Sequence, residues 1–128
     1  MSEQVAPPVR LSPAELRTLF LFESLEDDQL AWLSDQGYCQ TWSAGETVYT
    51  EGDPSTCFFV LLSGTLSMHR RVENTEVELS RTNQRGVYSG ATQSFVKGMD
   101  EMPYWSSVRA VTDCEFWVIG AAEFGEKF

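Results

Sequence analysis

Two glycine-punctuated stretches decide the fold: Gly45-Glu46-Thr47-Val48-Tyr49-Thr50-Glu51-Gly52-Asp53 and Cys57-Phe58-Phe59-Val60-Leu61-Leu62-Ser63-Gly64. In the first stretch, β-branched residues between two glycines predict a short strand bounded by turns. In the second, a continuous apolar run that ends at a glycine predicts a strand buried deep in a barrel or sandwich. Together the two stretches predict a β-structure with tight turns, in which the second strand passes through the core.

Two helices are predicted before these strands. Ser12-Pro13-Ala14-Glu15 combines a serine cap, a proline in the first turn and a glutamate three residues after the cap. A second helix is predicted to begin near Ser24 or Glu26 and to end at Gly37. Residues 1–10 contain two adjacent prolines and are predicted to be a disordered lead, so the domain is expected to span residues 11–128.

About eight short strands are predicted after Gly37, and a closing helix is expected to start at Ala121 and to be truncated at Phe128. The predicted strands are residues 38–42, 47–50, 58–62, 65–72, 77–80, 87–88, 106–111 and 115–119. This order favours mainly β structure with flanking helices (α+β). We expect an antiparallel β-roll or jelly-roll barrel with two N-terminal helices and a truncated C-terminal helix. Composition alone does not separate this fold from a cupin-type roll.

Charge and hydropathy restrict the partners. Nineteen aspartates and glutamates against nine lysines and arginines give a net charge of −10. Nucleic-acid phosphates and anionic membranes repel such a chain, so neither is an expected partner. No apolar run is long enough to span a bilayer, and no secretory signal starts the chain, which predicts a cytoplasmic location.

The three cysteines, Cys39, Cys57 and Cys114, fit no zinc or redox spacing and are predicted to be buried free thiols. No metal and no cofactor are expected. The single histidine, His69, lies in a polar stretch and is predicted to be exposed. One histidine cannot build the metal site of a cupin-type enzyme or a Ser-His-Asp triad, so we predict that the chain is not an enzyme and has no catalytic residues.

Several of these features together resemble the cyclic nucleotide-binding domain family, the ligand-sensing barrel of bacterial regulators, kinases and channels. The resemblance rests on Gly45, Gly52-Asp53, Leu61-Leu62-Ser63-Gly64 and Ser107-Val108-Arg109-Ala110-Val111-Thr112-Asp113-Cys114. It covers roughly Leu19 to Phe124. The family fold that it implies agrees with the β-roll predicted above.

The resemblance implies a phosphate-binding cassette between Gly86 and Ala110. In the family, an aromatic residue precedes Gly-Glu at the start of a short helix, and an arginine follows further on. Here Tyr88 matches the aromatic residue, Ser89 and Gly90 stand where the family has Gly and Glu, and Tyr104 stands where it has the phosphate arginine. Both signature polar contacts are therefore expected to be missing.

The candidate ligand residues lie in this cassette: Tyr88, Ser89, Gly90, Ala91, Thr92, Tyr104, Trp105, Ser106 and Ser107, with Arg85 and Arg109 as candidate anion contacts. Residues 89–92 offer backbone amides at a predicted helix start. Gly90 either permits close approach of a ligand or only serves a turn. Tyr104 and Trp105 either stack on a ligand or fill the empty pocket as core. Arg109 is expected to be solvated or ion-paired.

The predicted function is regulatory ligand sensing within a larger bacterial signalling protein, with weak or altered nucleotide binding. The cassette is similar to N-terminal domains of actinobacterial sensor histidine kinases, an association only. Expected partners are a small ligand (a cyclic nucleotide or related anion), an output domain of the same or another protein, and a second copy in a homodimer. The alternatives are a functional cAMP- or cGMP-binding domain and, against the histidine count, a cupin-type enzyme.

Overall fold

The helices form where the capping signals predict. The computed structural model describes residues 10–54, 56–90 and 103–120, so residues 1–9 of the predicted lead and the predicted closing helix lie outside it. Helix α1 is Pro13–Arg17, a 3-10 turn is Phe20–Phe22, and helix α2 is Asp27–Gln36. The Ser12 hydroxyl accepts from the Glu15 N–H and the Glu15 carboxylate accepts from the Ser12 N–H, which completes the predicted capping box.

In the described part of the chain, eight strands follow the helices. They are β1 Tyr38–Trp42, β2 Thr47–Tyr49, β3 Cys57–Ser63, β4 Leu66–Val72, β5 Thr75–Thr82, β6 Tyr88–Gly90, β7 Ser107–Ala110 and β8 Cys114–Gly120. One sheet has the order β1-β8-β3-β6 and the other has the order β2-β7-β4-β5, with all pairs antiparallel. Except for the β4–β5 hairpin, consecutive strands lie in different sheets, which confirms the predicted mainly β roll with N-terminal helices.

Strand β3 is buried on both faces, which explains its uninterrupted apolar sequence. Its alternate residues Phe58 and Val60 pack in a cluster with the helices, where Leu33 of α2 is also buried. The intervening residues Phe59 and Leu61 point into the space between the two sheets. One strand therefore joins the helical layer to the interior of the roll.

The hairpin of β4 and β5 extends past the rest of its sheet. Strand β4 pairs with β7 from Leu66 to His69, which lies opposite Ser107. It pairs with β5 further, as far as Val72, which lies opposite Thr75. Beyond His69, strand β4 is therefore no longer paired with β7. Residues 73–74 form the turn at the hairpin tip.

Candidate ligand site

The interior between the sheets is filled by side chains from both. Aromatic rings form a connected group: Trp42 contacts Phe116 at 5.3 Å and Phe59 at 5.9 Å between ring centres, and Tyr49 stacks on Phe59 at 5.3 Å. The buried members of this interior cluster are Tyr49, Phe59, Leu61, Leu66, Tyr104, Val108, Ala110, Cys114, Phe116 and Val118. Every one of them is uncharged, so the described interior is apolar except for hydroxyl groups.

Tyr104, which the resemblance matches to the family's phosphate arginine, belongs to this interior. Its ring is 5% exposed and stacks on Tyr49 with 4.3 Å between centres and 24° between planes. The backbone N–H groups of Thr56 and Cys57 donate to its hydroxyl oxygen at 3.2 and 3.1 Å. Tyr104 is thus held by stacking and by hydrogen bonds, as a core side chain is.

Tyr49 joins the two ends of the cassette. Its hydroxyl is hydrogen-bonded to the side chains of Ser89 and Ser106 and to the backbone of Gly90, and burial raises the pKa of this phenol. Ser89 and Ser106 are themselves buried. The polar groups of these two predicted ligand residues are therefore engaged by the protein's own tyrosine. Sequence reasoning did not select Tyr49, since a tyrosine in a strand is ordinary.

Gly90 requires the absence of a side chain. It ends strand β6 with φ of +96°, and a Cβ atom there would lie 2.7 Å from both the Cys57 carbonyl oxygen and Phe59 Cδ1. A larger side chain does not fit this position, so Gly90 cannot itself contribute a side chain to a ligand.

The structure also differs from the prediction that a helix starts at Ser89. Ser89 and Gly90 form the end of strand β6, paired with Phe59 and Phe58, instead of capping a helix. The reason is that Tyr88 to Gly90 continue the first sheet beside β3 and bury the Ser89 side chain. Ala91 and Thr92, the remaining residues of this prediction, lie outside the described part of the chain.

Neither predicted cation reaches the interior. Arg85 donates to the Leu62 carbonyl oxygen at 3.4 Å and to the Thr18 hydroxyl at 3.5 Å, on the side of the helices. Arg109 donates to Glu76 at 3.0 and 3.3 Å, so it is ion-paired, as expected. Because Val108 and Ala110 point inward, Arg109 points to the outer face of β7.

The other cassette residues divide between the interior and the surface. Tyr88 stacks on Phe58 at 5.8 Å, outside the interior cluster, and is 40% exposed. Trp105 is 57% exposed. Ser107 accepts a hydrogen bond from the Glu51 N–H at 2.8 Å. The structure therefore brings Ser89, Gly90, Tyr104 and Ser106 together around Tyr49, and it separates Tyr88, Trp105 and Ser107 from them.

His69 is buried, so the prediction that it is exposed is wrong. It is 8% exposed because the β4–β5 hairpin places Glu76 beside it. Its Nε2 lies 2.7 Å from the Ser67 hydroxyl, and its Nδ1 lies 3.7 Å from Glu76 Oε1. Ser67, His69 and Glu76 are the residue types of a catalytic nucleophile, base and carboxylate. However, Ser67 is only 2% exposed, so a substrate has no access to its hydroxyl.

A polar groove of about 370 Å³ lies along Glu51, His69, Arg71 and Glu76. Its carboxylates already have partners: Glu51 accepts from the Arg71 N–H at 2.8 Å, and Glu76 accepts from Arg109. In the described residues, no three histidine, cysteine, aspartate or glutamate side chains converge to hold a metal ion.

No disulfide joins the three cysteines, all of which lie in the described residues; Cys114 is buried, and Cys39 and Cys57 are half-buried. Among the described helices, none combines the length and apolar character needed to cross a bilayer.

Two facing antiparallel sheets with helices packed on one of them define a β-roll domain. The family model of the cyclic nucleotide-binding domain matches residues 39–128. This chain belongs to that family, whose members are regulatory domains that bind small ligands and control output domains. No match was found among curated protein sequences.

Solved structures share the fold. A putative cyclic nucleotide-binding protein from Ruegeria pomeroyi is 24% identical, with a TM-score of 0.75 over 91% of this chain and 50% of its own. The regulatory domain of Toxoplasma gondii PKA, crystallised with cAMP, is 14% identical, with a TM-score of 0.78 over 90% and 43%. The regulatory subunit of a cAMP-independent protein kinase A from Trypanosoma brucei is 14% identical, with a TM-score of 0.72 over 83% and 38%. This chain thus spans half or less of each.

Proposed function

We propose that this chain is a regulatory ligand-sensing domain whose interior is occupied by its own aromatic side chains, so that cyclic nucleotide binding is weak or altered. The observation that carries the proposal is the position of Tyr104. Where the family resemblance places an arginine for the phosphate, a tyrosine is stacked on Tyr49 and hydrogen-bonded to the start of β3.

The energetics of an anionic ligand support this proposal. A cyclic phosphate that leaves water needs a cation or several N–H donors to replace its hydration. Arg85 and Arg109 point away from the described interior, and the hydroxyls of Ser89 and Ser106 are bonded to Tyr49. A nucleotide would therefore have to displace internal contacts without gaining a charged partner from these residues.

The similar structures differ in how they are described in relation to cAMP. One of the similar structures was crystallised with cAMP, and another belongs to a kinase described as cAMP-independent. The proposed role is therefore regulation without ordinary nucleotide control. In this role the domain responds to another ligand or acts through protein contacts, and it transmits the response to an output domain. We place it in a larger cytoplasmic signalling protein of bacteria and assign it no enzymatic activity.

Titration calorimetry with cAMP and cGMP tests the proposal directly. We expect no binding tighter than a Kd of about 0.1 mM, which corresponds to about 5.5 kcal/mol of binding free energy. Tyr104→Phe keeps the stacked ring and serves as the matched control, so it should behave like the wild-type chain. A micromolar Kd for either nucleotide in the wild-type chain would refute the occupied interior.

A gain-of-function variant tests the placement of the cassette. Because Gly90 has no room for a side chain, we propose the neighbouring Ala91 as the position for the acceptor, and Ala91→Glu combined with Tyr104→Arg supplies a carboxylate and a guanidinium. We expect this double variant to bind cAMP at least about tenfold more tightly than Tyr104→Arg alone, since a carboxylate and a guanidinium each add charge-assisted hydrogen bonds. A folded double variant, verified by circular dichroism, that binds cAMP no better than the single variant would show that the cassette is wrongly placed.

A further inference from the structure

A carboxylate takes the place of a neighbouring strand beside the outer part of β4. Pairing of β4 with β7 ends at His69, which lies opposite Ser107. Beyond this point the Arg71 N–H donates to Glu51 Oε1 at 2.8 Å, and Arg70 Nε lies 3.4 Å from Glu51 Oε2. A hydrogen bond to a charged acceptor is stronger than one to a neutral acceptor. Glu51 therefore attaches the outer end of the β4–β5 hairpin to the segment that follows β2.

The backbone beside Glu51 holds Tyr104 in place. The Gly52 N–H donates to the Tyr104 carbonyl oxygen at 3.0 Å, and the Tyr104 N–H donates to the Asp53 carbonyl oxygen at 2.9 Å. We call Glu51, Gly52 and Asp53 the strap, which contacts the hairpin through a side chain and Tyr104 through its backbone. The Asp53 N–H also donates to the Thr50 carbonyl oxygen at 3.1 Å, which closes a turn. Because the turn restricts the backbone, a displacement at one contact of the strap is passed to the other.

A second contact joins the same two parts of the chain. The Arg70 guanidinium carbon lies 4.4 Å from the centre of the Trp105 ring, and Trp105 directly follows Tyr104 in the sequence. The attraction between a guanidinium and the face of an indole ring fixes the orientation of both groups. The hairpin therefore meets the Tyr104 segment at Glu51 and at Trp105, and Arg70 takes part in both contacts.

We infer that the strap couples the β4–β5 hairpin to the interior, so that the outer end of the hairpin loosens when the Tyr104 ring leaves its place beside Tyr49. Glu51 is the link between the two. The ion pair of Glu76 with Arg109 still attaches the hairpin to β7, so the change is local. A ligand that displaces Tyr104 is thereby sensed on the outer surface of the second sheet. The coupling does not depend on which ligand this is, and it is independent of the proposed weak nucleotide binding.

Amide hydrogen exchange, followed by NMR in the whole chain, tests the coupling from the hairpin to the interior. The N–H groups of Thr56 and Cys57 donate to the Tyr104 hydroxyl, so their exchange rates report whether the ring is in place. Glu51→Ala removes the link and should speed the exchange of these two reporter amides by about fivefold or more. Glu51→Gln keeps an oxygen acceptor for the hairpin, so its effect should be smaller.

The reverse direction uses the Arg71 N–H, which donates to Glu51. Because coupling between two sites is reciprocal, Tyr104→Ala should speed the exchange of this amide by about fivefold or more. Tyr104→Phe keeps the stacked ring and should change it by less than about twofold. Glu78→Ala is the matched control for Glu51→Ala, since it removes a hairpin carboxylate that is bonded to Arg81 and lies outside the strap. It should leave the reporter amides at wild-type rates.

Three outcomes would overturn the inference. Wild-type exchange at Thr56 and Cys57 in Glu51→Ala would show that the hairpin and the interior move independently. Equal effects of Glu51→Ala and Glu78→Ala would show that the strap has no special part. The amides of β8, which pairs with β1 and β3, report global unfolding, and an equal rise in their exchange would assign the effect to overall stability. If Tyr104→Ala does not fold, the Glu51 variants alone decide the result.

Discussion

The backbone conformation and the packing at position 90 require glycine. A positive φ favours glycine, and here the nearest atoms also leave no room for a Cβ atom. The position is therefore fixed by packing against β3 at the entrance to the cassette. This double constraint removes Gly90 from the set of residues that can contribute a side chain to a ligand.

Two alanine substitutions separate the two constraints. Gly45→Ala places alanine at φ of +91° with no atom within 4 Å of the new Cβ, so we expect a loss of about 1 kcal/mol from backbone strain alone. Gly90→Ala adds the contacts with Cys57 and Phe59, and we expect a further loss of about 1–3 kcal/mol. Urea unfolding of both variants measures the difference. Equal losses would show that the close contacts at Gly90 relax freely.

At the level of elements, β3 connects two separate clusters. Its outward residues pack with the helices, where the Trp117 ring of β8 meets Phe22 edge-on at 5.4 Å between centres. Its inward residues pack with the aromatic interior. The helical layer is therefore part of the fold's core, although it contributes nothing to the described ligand site.

The helical layer should account for a measurable share of stability. Leu33→Ala in α2 removes a side chain with 0% exposure, and we expect a loss of about 3 kcal/mol from lost burial and the resulting cavity. Leu79→Ala, at 44% exposure on β5, is the matched control and should cost less than about 0.5 kcal/mol. Chemical denaturation compares them. Similar small losses would mean that α2 is loosely attached to β3.

At the scale of the whole molecule, the alkaline limit of stability should depend on Tyr49. Burial raises the pKa of this phenol, so the folded chain keeps its proton at pH values where an unfolded tyrosine, with a pKa of about 10, begins to lose it. Above that pH the unfolded state binds fewer protons than the folded state, and the free energy of unfolding falls as pH rises. Below it, Tyr49 contributes no pH dependence.

Urea unfolding between about pH 8 and about pH 10.5 measures this slope. Tyr49→Phe removes the titrating group, so its free energy of unfolding should fall less steeply with pH, although hydrogen bonds are lost at every pH. Tyr38, whose pKa is also raised by burial, leaves a residual slope in the same direction. Identical slopes in the wild-type chain and in Tyr49→Phe would contradict the buried, neutral phenol.

The sequence by itself determined the order of elements, because the signals are local. The Ser12 capping box, the glycine turns and the apolar run of β3 each act within a few residues, and the structure has helices, turns and strands at these places. Combined with the family resemblance, they predicted the roll. Within the described residues, the predicted element differs at Ser89 and Gly90, where pairing with β3 outweighs a helix-start pattern.

Only the tertiary structure decided what the site contains. Tyr49 and Tyr104 are 55 positions apart in the sequence and meet through the pairing of the Gly52–Asp53 turn with Tyr104. His69 is buried by a neighbouring strand, and Arg70 lies over Trp105. Strand alternation tells which residues share a face, but it does not tell which face is covered or by which distant side chain. Contacts of that kind depend on how the sheets are placed against each other.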